Sequence, residues 1–561
     1  MLLVICAEDC GERPGHSTRS ATLLPMALAP SGNRLLGRLT IIFFLILAAF
    51  VPFALAAQSL PGGRVVLVLP FENRSGNATL NWIGNSFPDT LDRRLNSAGF
   101  LTISHDDRVF ALTHLGLPGD FRPSRATTIR IAQQLDANYV VIGNFTLVND
   151  QIDIQAQVLS VDKLTLSPPV TGGAALDRLY DAENSIAWKV ARTIDPSLNV
   201  AEQTFLGAGG AVPLPAFEDY IRGINAPTSA EAIQRLRTAV AEAPNYASAL
   251  LALGKQQYLT RDYSSAATTL AKVPLGDPQA LEANFYLGLS RFNSANYAGA
   301  YTAFEFVASR LPLPEVVNNE GVALSRQGKD AVALYQRASA ADPSDEDYHY
   351  NLAIALWRRG DLQDALHEAD AAQKLKPTDP EAGSLRAQIS IAPAGSRLDP
   401  NAGFAPVERI RRNYSEAAFR QAAFQLDQLR AARMATLAPA ERATEYTTLG
   451  RDYLAQGLLP QAEQQFQSAI AAYSNNAAAH AGLAEVRERS GNAKDARAEA
   501  QRSISIQPNV PALLVLARLD IAQNQPSAAA DDISRALHVE PNNSAALAMR
   551  MTLQQRGQSV R

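Results

Sequence analysis

The chain has 561 residues and a formal net charge of −4 at pH 7, with 47% hydrophobic and 19% charged residues. This composition is ordinary for a folded soluble protein, and the length is sufficient for several domains. The small negative charge gives no basis for nucleic-acid binding, which needs a clustered basic face. The only cysteines, Cys6 and Cys10, precede the first apolar run, so we read them as unpaired residues and not as a metal site.

Residues 1–57 are predicted to be a leader. Basic residues precede an apolar run at 39–57 that ends in small residues, which is typical of an export signal. The run also has about the length of a membrane-spanning helix, so an uncleaved anchor in the inner membrane is the alternative. We expect cleavage near Ala57, and Met26 would be a better start for a signal of ordinary length. Everything after the run is expected to lie outside the cytoplasm.

Residues 64–200 are predicted to form a small α/β domain. Val65–Leu69 is a continuous apolar run, as expected for a strand buried on both faces. Apolar residues at helical spacing follow from Ile83 to Leu95. Further strands are predicted at 100–103, 139–148 and 152–158, and further helices near 106–115, 124–136 and 174–194.

Two short motifs in this domain carry a family resemblance. Val68–Asn73 and residues 132–143 (AQQLDANYVVIG) resemble a bacterial envelope module found in the TolB amino-terminal domain and in FlgO and CsgG-like proteins. The resemblance implies work in protein complexes of the periplasm or outer membrane. It supplies no catalytic residue.

Polar clusters in the domain have ordinary structural interpretations. His105–Asp107 follow a strand and are a possible metal or acid–base cluster, but capping of the next helix by Ser104 or Asp106 is the favoured interpretation. Asn73–Asn77 is interpreted as a turn. The chain has no G-x-S-x-G, H-E-x-x-H, P-loop or Cys–His arrangement. We therefore predict no catalytic residue, no cofactor and no metal.

A repeat begins after the Gly/Pro-rich linker at 207–215. Leu253-Gly254, Ala266 and Pro278 return 34 residues later as Leu287-Gly288, Ala300 and Pro312. This figure resembles the tetratricopeptide (TPR) repeat, which pairs two antiparallel helices. The small residues at Gly254 and Ala266 would let the helices approach while leucines fill the flanking space.

The same figure predicts two helical arrays. The first covers 216–392 with about five repeats, and the second covers 441–561 with about three repeats and a capping helix. Between them, 393–440 is either a degenerate repeat or a hinge, with helices predicted over 407–435. The predicted fold is α+β overall and mostly α, with a small α/β domain followed by an α-solenoid.

The TPR resemblance also implies a groove, because the first helix of each pair lines the concave face in that family. In the first array the residues expected there are aromatic, polar or basic: Tyr258, Phe285, Phe292, Asn318, Arg326, Tyr350, Trp357 and Arg358. In the second array they are charged: Arg451, Glu485, Arg489 and Arg518. Aromatic residues with nearby arginines are enriched in binding hot spots. The alternative is that several of the aromatic rings pack between neighbouring repeats.

We therefore predict a non-enzymatic protein-interaction scaffold of the bacterial cell envelope, which binds partner proteins or peptides through its TPR grooves. It is expected to be exported, and periplasmic or associated with the outer membrane. The alternative is a sensory or regulatory protein anchored in the inner membrane by 39–57, whose α/β domain recognises a ligand. Neither hypothesis involves nucleic acid.

Overall fold

The computed structural model describes residues 65–116, 124–207, 211–399, 403–414, 425, 428–430 and 432–555. The predicted leader, with its apolar run at 39–57, lies outside these residues. Within them, no helix combines the length and the apolar character needed to cross a bilayer.

The described elements are seven strands followed, for the most part, by paired helices. The strands are β1 (Val65–Val68), β2 (Glu72–Asn73), β3 (Leu101–Thr102), β4 (Tyr139–Val148), β5 (Gln151–Ser160), β6 (Thr165–Leu166) and β7 (Val170–Ala175). The helices up to residue 270 are α1 (Asn81–Ser97), α2 (His105–His114), α3 (Arg125–Gln134), α4 (Leu179–Ile194), α5 (Glu202–Gly207), α6 (Leu214–Ile224), α7 (Ser229–Glu242), α8 (Ala247–Leu259) and α9 (Tyr263–Leu270). The next seven are α10 (Ala280–Asn293), α11 (Tyr297–Ala308), α12 (Pro314–Ser325), α13 (Val332–Ala341), α14 (Glu346–Arg359), α15 (Leu362–Leu375) and α16 (Pro380–Ile391). The last seven are α17 (Pro439–Ala455), α18 (Leu459–Ala472), α19 (Ala477–Arg489), α20 (Ala493–Ile506), α21 (Val510–Ala522), α22 (Pro526–Val539) and α23 (Ser544–Gln555).

The sheet of the α/β domain has the order β3-β1-β4-β5-β6, with β2 paired to β4 and β7 paired to β5. Strand β1 is parallel to both of its neighbours, and β4 and β5 form an antiparallel hairpin that turns at Asn149-Asp150. The predicted helix at 174–194 begins only at Leu179, because Val170–Ala175 pairs with β5 as an edge strand. At Gly173 a Cβ atom would lie 2.5 Å from the carbonyl oxygen of Ile152, so this strand needs glycine there.

The paired helices pack through small residues, but not quite as predicted. A Cβ atom at Gly254 would lie 2.4 Å from Leu270 Cγ, and one at Gly288 would lie 2.6 Å from Phe304 Cε1. Each glycine therefore accommodates the large residue of the second helix, whereas the sequence suggested contact with the small residue at position 266. The mostly α fold class is confirmed: within the described residues, five helix pairs run from α6 to α15 and three from α17 to α22.

The α/β domain and the first helix pairs share one apolar core. Phe217 on α6 is fully buried, with its ring 5.2 Å from that of Tyr180 and 6.2 Å from that of Trp82. The hydroxyl group of Tyr220 donates a 2.7 Å hydrogen bond to Asp89 on α1. The region around the predicted linker at 207–215 therefore does not separate two cores.

The second array also contacts the rest of the molecule. The backbone of Gly276 approaches α17 so closely that a Cβ atom there would lie 2.4 Å from the carbonyl oxygen of Gln456. Helix α5, at the end of the α/β domain, packs against α18 and α19. The described residues from 65 to 555 consequently belong to one compact unit.

Candidate functional site

One face of the first array is occupied by the chain itself. Residues 403–414, which belong to the predicted connector, lie extended along the face formed by α10, α12, α14 and α16, which we call the first groove. Burial alternates over residues 403–408, with Phe404 half-buried, Ala405 and Val407 exposed, and Glu408 buried. A period of two is that of an extended chain with one side against a surface. For residues 407–414, the predicted helix is wrong.

The structure brings most of the predicted groove residues together against this segment. Six of the eight contact it: Phe285, Asn318, Arg326, Tyr350, Trp357 and Arg358. The other two have aromatic neighbours on the array itself, as the alternative interpretation expected. Tyr258 lies 5.6 Å from the ring of Tyr286, and Phe292 lies 5.3 Å from the ring of Tyr297. That any of these residues binds a separate partner stays a prediction.

Three fully buried asparagines hold the backbone of the segment. Asn351 accepts a 2.7 Å hydrogen bond from the amide of Arg409 and donates one of 2.8 Å to the carbonyl of the same residue. Asn318 donates to that carbonyl at 3.0 Å. Asn319 makes the same pair of hydrogen bonds with the backbone of Arg411, both at 2.7 Å. Because these contacts engage only backbone groups at alternate residues, they suit any extended chain.

Two of these asparagines were missed by the sequence analysis. Asn318 and Tyr350 were predicted to line the groove from their place in the repeat. Asn319 and Asn351 lie one position later, and both are fully buried. A signal was available, since a polar amide on the buried face of a helix needs a hydrogen-bond partner.

The side chain of Arg409 is held by acidic groups from the starts of two helices. Its Nη1 lies 2.8 Å from Asp347 and 2.6 Å from Asp379, and its Nη2 lies 2.8 Å from Glu381. The hydrogen bond from Arg409 lowers the pKa of Asp379 below its ordinary value. The guanidinium carbon also lies 3.9 Å from the ring centroid of Tyr350. The groove thus provides a site shaped for a planar cation.

Arg411 occupies a second cation site, two residues further along the segment. It forms an ion pair with Asp345, and its Nη1 lies 3.2 Å from Asp347. Its guanidinium carbon lies 5.5 Å from the ring centroid of Tyr348. The acidic first turn of α14 therefore faces two basic side chains of the segment.

Glu408 places a negative charge in the groove, in contrast to the positive charges of Arg409 and Arg411. Its side chain is 1% exposed, and it pairs with Arg358 and lies 3.5 Å from Arg326. The hydroxyl group of Ser325 donates to it at 2.6 Å. Burial alone would raise the pKa of Glu408, but the charge of Arg358 and the hydrogen bonds outweigh burial and leave this pKa below its ordinary value.

Apolar contacts fix the segment at its centre and at both ends. Ile410 packs against two apolar clusters of the first array. The ring of Phe404 lies 6.1 Å from that of Trp357, and the ring of Tyr414 lies 5.4 Å from that of Phe285. The first groove therefore engages the backbone, the charges and the apolar side chains of an extended chain.

The predicted groove residues of the second array are arranged differently. Arg489 lies 2.6 Å from Glu485 within α19, and Arg518 makes two 2.6 Å hydrogen bonds to the carboxylate of Glu488. Arg451 is exposed on α17. These charges are largely satisfied within the array.

The α/β domain has a cleft of about 590 Å³ beside the end of β1. Amide side chains of Asn73, Asn144 and Gln155 line it, together with Arg74 and Arg125. Polar groups converging in a concave site are typical of ligand recognition.

The polar cluster at His105–Asp107 has the structural role predicted for it. Ser104 caps α2 by accepting a hydrogen bond from the amide of Asp107. Among the described residues, no group of three His, Cys, Asp or Glu side chains is placed to hold a metal ion.

The fold and the groove define a mostly α protein with TPR repeats. A family model described as tetratricopeptide repeat matches residues 319–380 and 447–511. Among solved structures, the chain is similar to MamA from Desulfovibrio magneticus RS-1, at 20% identity, with 30% of this chain and 99% of that chain covered and a TM-score of 0.28.

It is also similar to the C-terminal domain of LpoB from Salmonella enterica and from Escherichia coli. The identities are 23% and 24%, with 20% of this chain and 82% of those chains covered and TM-scores of 0.17. No curated protein matches the chain in the sequence comparison. The resemblance of residues 64–200 to TolB, FlgO and CsgG-like proteins stays a prediction.

Proposed function

We propose that this protein is a non-enzymatic interaction scaffold that holds partner proteins or peptides in the first groove. The observation that carries the proposal is the backbone clamp formed by Asn318, Asn319 and Asn351 around an extended segment. Backbone hydrogen bonds supply affinity for an extended chain, and side-chain pockets supply specificity. The first groove has both.

The proposed site of action is the bacterial cell envelope. Support comes from the predicted export signal at 39–57 and from the resemblance of residues 64–200 to envelope modules. In this proposal the α/β domain docks on an envelope component, and the first array presents its groove to a partner. Since the α/β domain packs directly against the first helix pairs, docking would also fix the orientation of the groove.

The test is a crosslinking pull-down from envelope fractions with the wild type, Asn351→Ala and Trp357→Ala. Both substitutions remove contacts of the groove, so we expect at least one partner to be recovered in clearly smaller amount. Asn293→Ala is the matched control, because Asn293 is an exposed asparagine on α10. If all four proteins recover the same partners in the same amounts, the first groove is not the binding surface.

The cleft of the α/β domain favours a second candidate function, that of an anchored sensory or regulatory protein. In this case 39–57 stays uncleaved, and the cleft beside β1 recognises a ligand. Carbonate washing of membranes distinguishes the two candidates. Retention of the mature protein in the washed membrane supports the anchored sensor, and its release supports the scaffold.

A further inference from the structure

The segment at 403–414 forms a single layer over the first groove. Ala405 and Val407 are exposed, with 58% of Val407 accessible, and Arg412 and Asn413 are also exposed. The segment can leave the groove without a movement of other described parts of the structure, because its outer side faces solvent and not a second layer of protein.

The groove is built to hold an occupant. Asn318, Asn319 and Asn351 are fully buried, and their amides are paired largely with the segment's backbone. A buried amide without a partner is costly. The stacking of helix pairs does not require these polar residues, since neighbouring pairs are held by apolar clusters, such as the one that joins Phe304 on α11 to Val317 on α12.

The charges of the groove define what kind of chain it accepts. Arg326 and Arg358 surround a carboxylate, and four acidic residues at the starts of α14 and α16 surround two guanidinium groups. Ile410 lies between the two arginines of the segment and packs against apolar residues of the groove. All of these sites are satisfied by four consecutive residues, which are acidic, basic, aliphatic and basic in that order.

We propose that the first groove binds, from a partner protein, an extended peptide with the acidic–basic–aliphatic–basic order of Glu408–Arg411, and that residues 403–414 are an intramolecular competitor which this peptide displaces. The inference rests on the proposed function and narrows it, because it names the chemistry of the partner and makes binding conditional on exchange. A tethered segment competes at an effective concentration on the order of millimolar. The intact chain should therefore bind a free peptide weakly, and release of the segment should strengthen binding.

The experiment measures binding of a fluorescein-labelled peptide with the sequence of 403–414 (GFAPVERIRRNY) to the full chain by fluorescence anisotropy. The releasing variant is Arg409→Glu/Arg411→Glu, in which both cation sites reject the tethered segment. The matched control is Arg412→Glu, which reverses the same charge at an exposed position of the same segment. We expect the releasing variant to bind the peptide at least about tenfold more tightly than the wild type and the control.

A third variant adds Asn319→Ala and Asn351→Ala to the releasing variant. We expect it to lose the gain in affinity, because Asn319 and Asn351 supply four of the five hydrogen bonds of the backbone clamp. Equal affinity of the wild type and the releasing variant would overturn the inference, and so would full binding by the variant that lacks Asn319 and Asn351. Far-UV circular dichroism checks that each variant is folded.

A second measurement does not depend on the releasing variant. A fluorophore on Val407→Cys, with Cys6 and Cys10 replaced by serine, reports whether the tethered segment leaves the groove. Excess wild-type peptide should raise the mobility of the fluorophore, whereas a peptide with both arginines reversed to glutamate should not. An unchanged mobility at saturating wild-type peptide would contradict displacement.

These readouts are separate from the pull-down. Displacement without any recovered envelope partner would leave the peptide specificity standing and remove the envelope scaffold. Partners that depend on Asn351, together with failed displacement, would leave the scaffold standing and remove the competitor.

Discussion

Glu183 on α4 is an acid in the interior of the α/β domain. Its side chain is fully buried and lies within hydrogen-bonding distance of the hydroxyl group of Ser86. Burial raises the pKa of Glu183 to about 8, and the hydrogen bond from Ser86 offsets this effect only in part. The folded state therefore keeps a proton that the unfolded chain, with an ordinary pKa of 4.5, releases.

This difference predicts a pH-dependent stability. Since the folded state binds more protons than the unfolded state between pH 4.5 and about pH 8, the free energy of unfolding should fall as pH rises through this window. The slope is at most about 1.4 kcal/mol per pH unit. Glu183→Gln cannot titrate, so its melting temperature should exceed that of the wild type at pH 8 and approach it at pH 5.

Thermal melting at several pH values checks the prediction. Glu242→Gln is the control, because Glu242 is exposed on α7. Parallel pH profiles of the wild type and Glu183→Gln would show that Glu183 is not protonated in the folded protein.

The ring of Phe466 is enclosed by two glycines, which gives a second prediction at the scale of the residue. A Cβ atom at Gly450 would lie 2.7 Å from this ring, and one at Gly482 would lie 2.3 Å from it. Gly482→Ala should therefore destabilise the second array by about 1–3 kcal/mol through overpacking. This exceeds the gain of about 1 kcal/mol that alanine brings to a helix.

Gly383→Ala separates the two effects. Gly383 also lies within a helix, but a Cβ atom there would meet only the side-chain nitrogen of Gln373, at 3.4 Å. We expect Gly383→Ala to raise the free energy of unfolding by up to about 1 kcal/mol in denaturant titrations. Stabilisation by Gly482→Ala would show that the Phe466 ring can move aside.

At the scale of the element, a histidine joins the two helices of one pair. His349 on α14 lies 2.6 Å from Glu368 on α15, and its other ring nitrogen lies 3.2 Å from the carbonyl oxygen of Pro343. The second array repeats this arrangement, with His480 on α19 lying 2.7 Å from Glu499 on α20. Both histidines therefore tie paired helices together.

The pair on α14 and α15 predicts another pH effect. The hydrogen bond with Glu368 raises the pKa of His349 above its ordinary value of 6.5. Its stabilising contribution is therefore complete below pH 6.5 and is lost as pH rises through the raised pKa. In Glu368→Gln this part of the pH dependence should disappear from the melting temperature, whereas the exposed control Glu242→Gln should retain it.

The elements themselves differ in how far the sequence reveals them. The helix pairs were predictable, because Gly254, Gly288 and their partners repeat with a fixed period. Strand β7 was not predictable, because two of its residues are glycines, which give no sign in the sequence that the strand pairs with β5. The segment at 403–414 was also missed, because the buried Glu408 stands between its inward apolar residues Phe404 and Ile410, so a search for apolar alternation does not find it.

At the scale of the whole molecule, residues far apart in the sequence make contacts that the sequence does not predict. Glycine and proline around 207–215 predicted a boundary, yet the apolar core continues from the sheet into α6 and α8. A buried polar network accompanies it, in which Arg93 lies 3.0 Å from Asp89 and donates a 2.8 Å hydrogen bond to Ser248 on α8. Local sequence signals mark where an element ends but not which elements later pack together, so this junction required the structure.

A shared core predicts that the α/β domain and the first helix pairs unfold together. Phe217→Ala removes a fully buried ring from the junction and should cost about 3–5 kcal/mol. Phe110→Ala, at a position 63% exposed, should change the free energy of unfolding by less than about 0.5 kcal/mol.

Tryptophan fluorescence can follow the two regions separately. The chain has three tryptophans, so Trp82 in the α/β domain and Trp357 in the first array can each serve as a local reporter when the other two tryptophans are replaced by phenylalanine. We expect both reporters to show the same denaturation midpoint in the parent chain and the same shift on Phe217→Ala. If Trp82 moves while Trp357 keeps its midpoint, the two regions unfold separately, and docking of the α/β domain cannot fix the orientation of the groove.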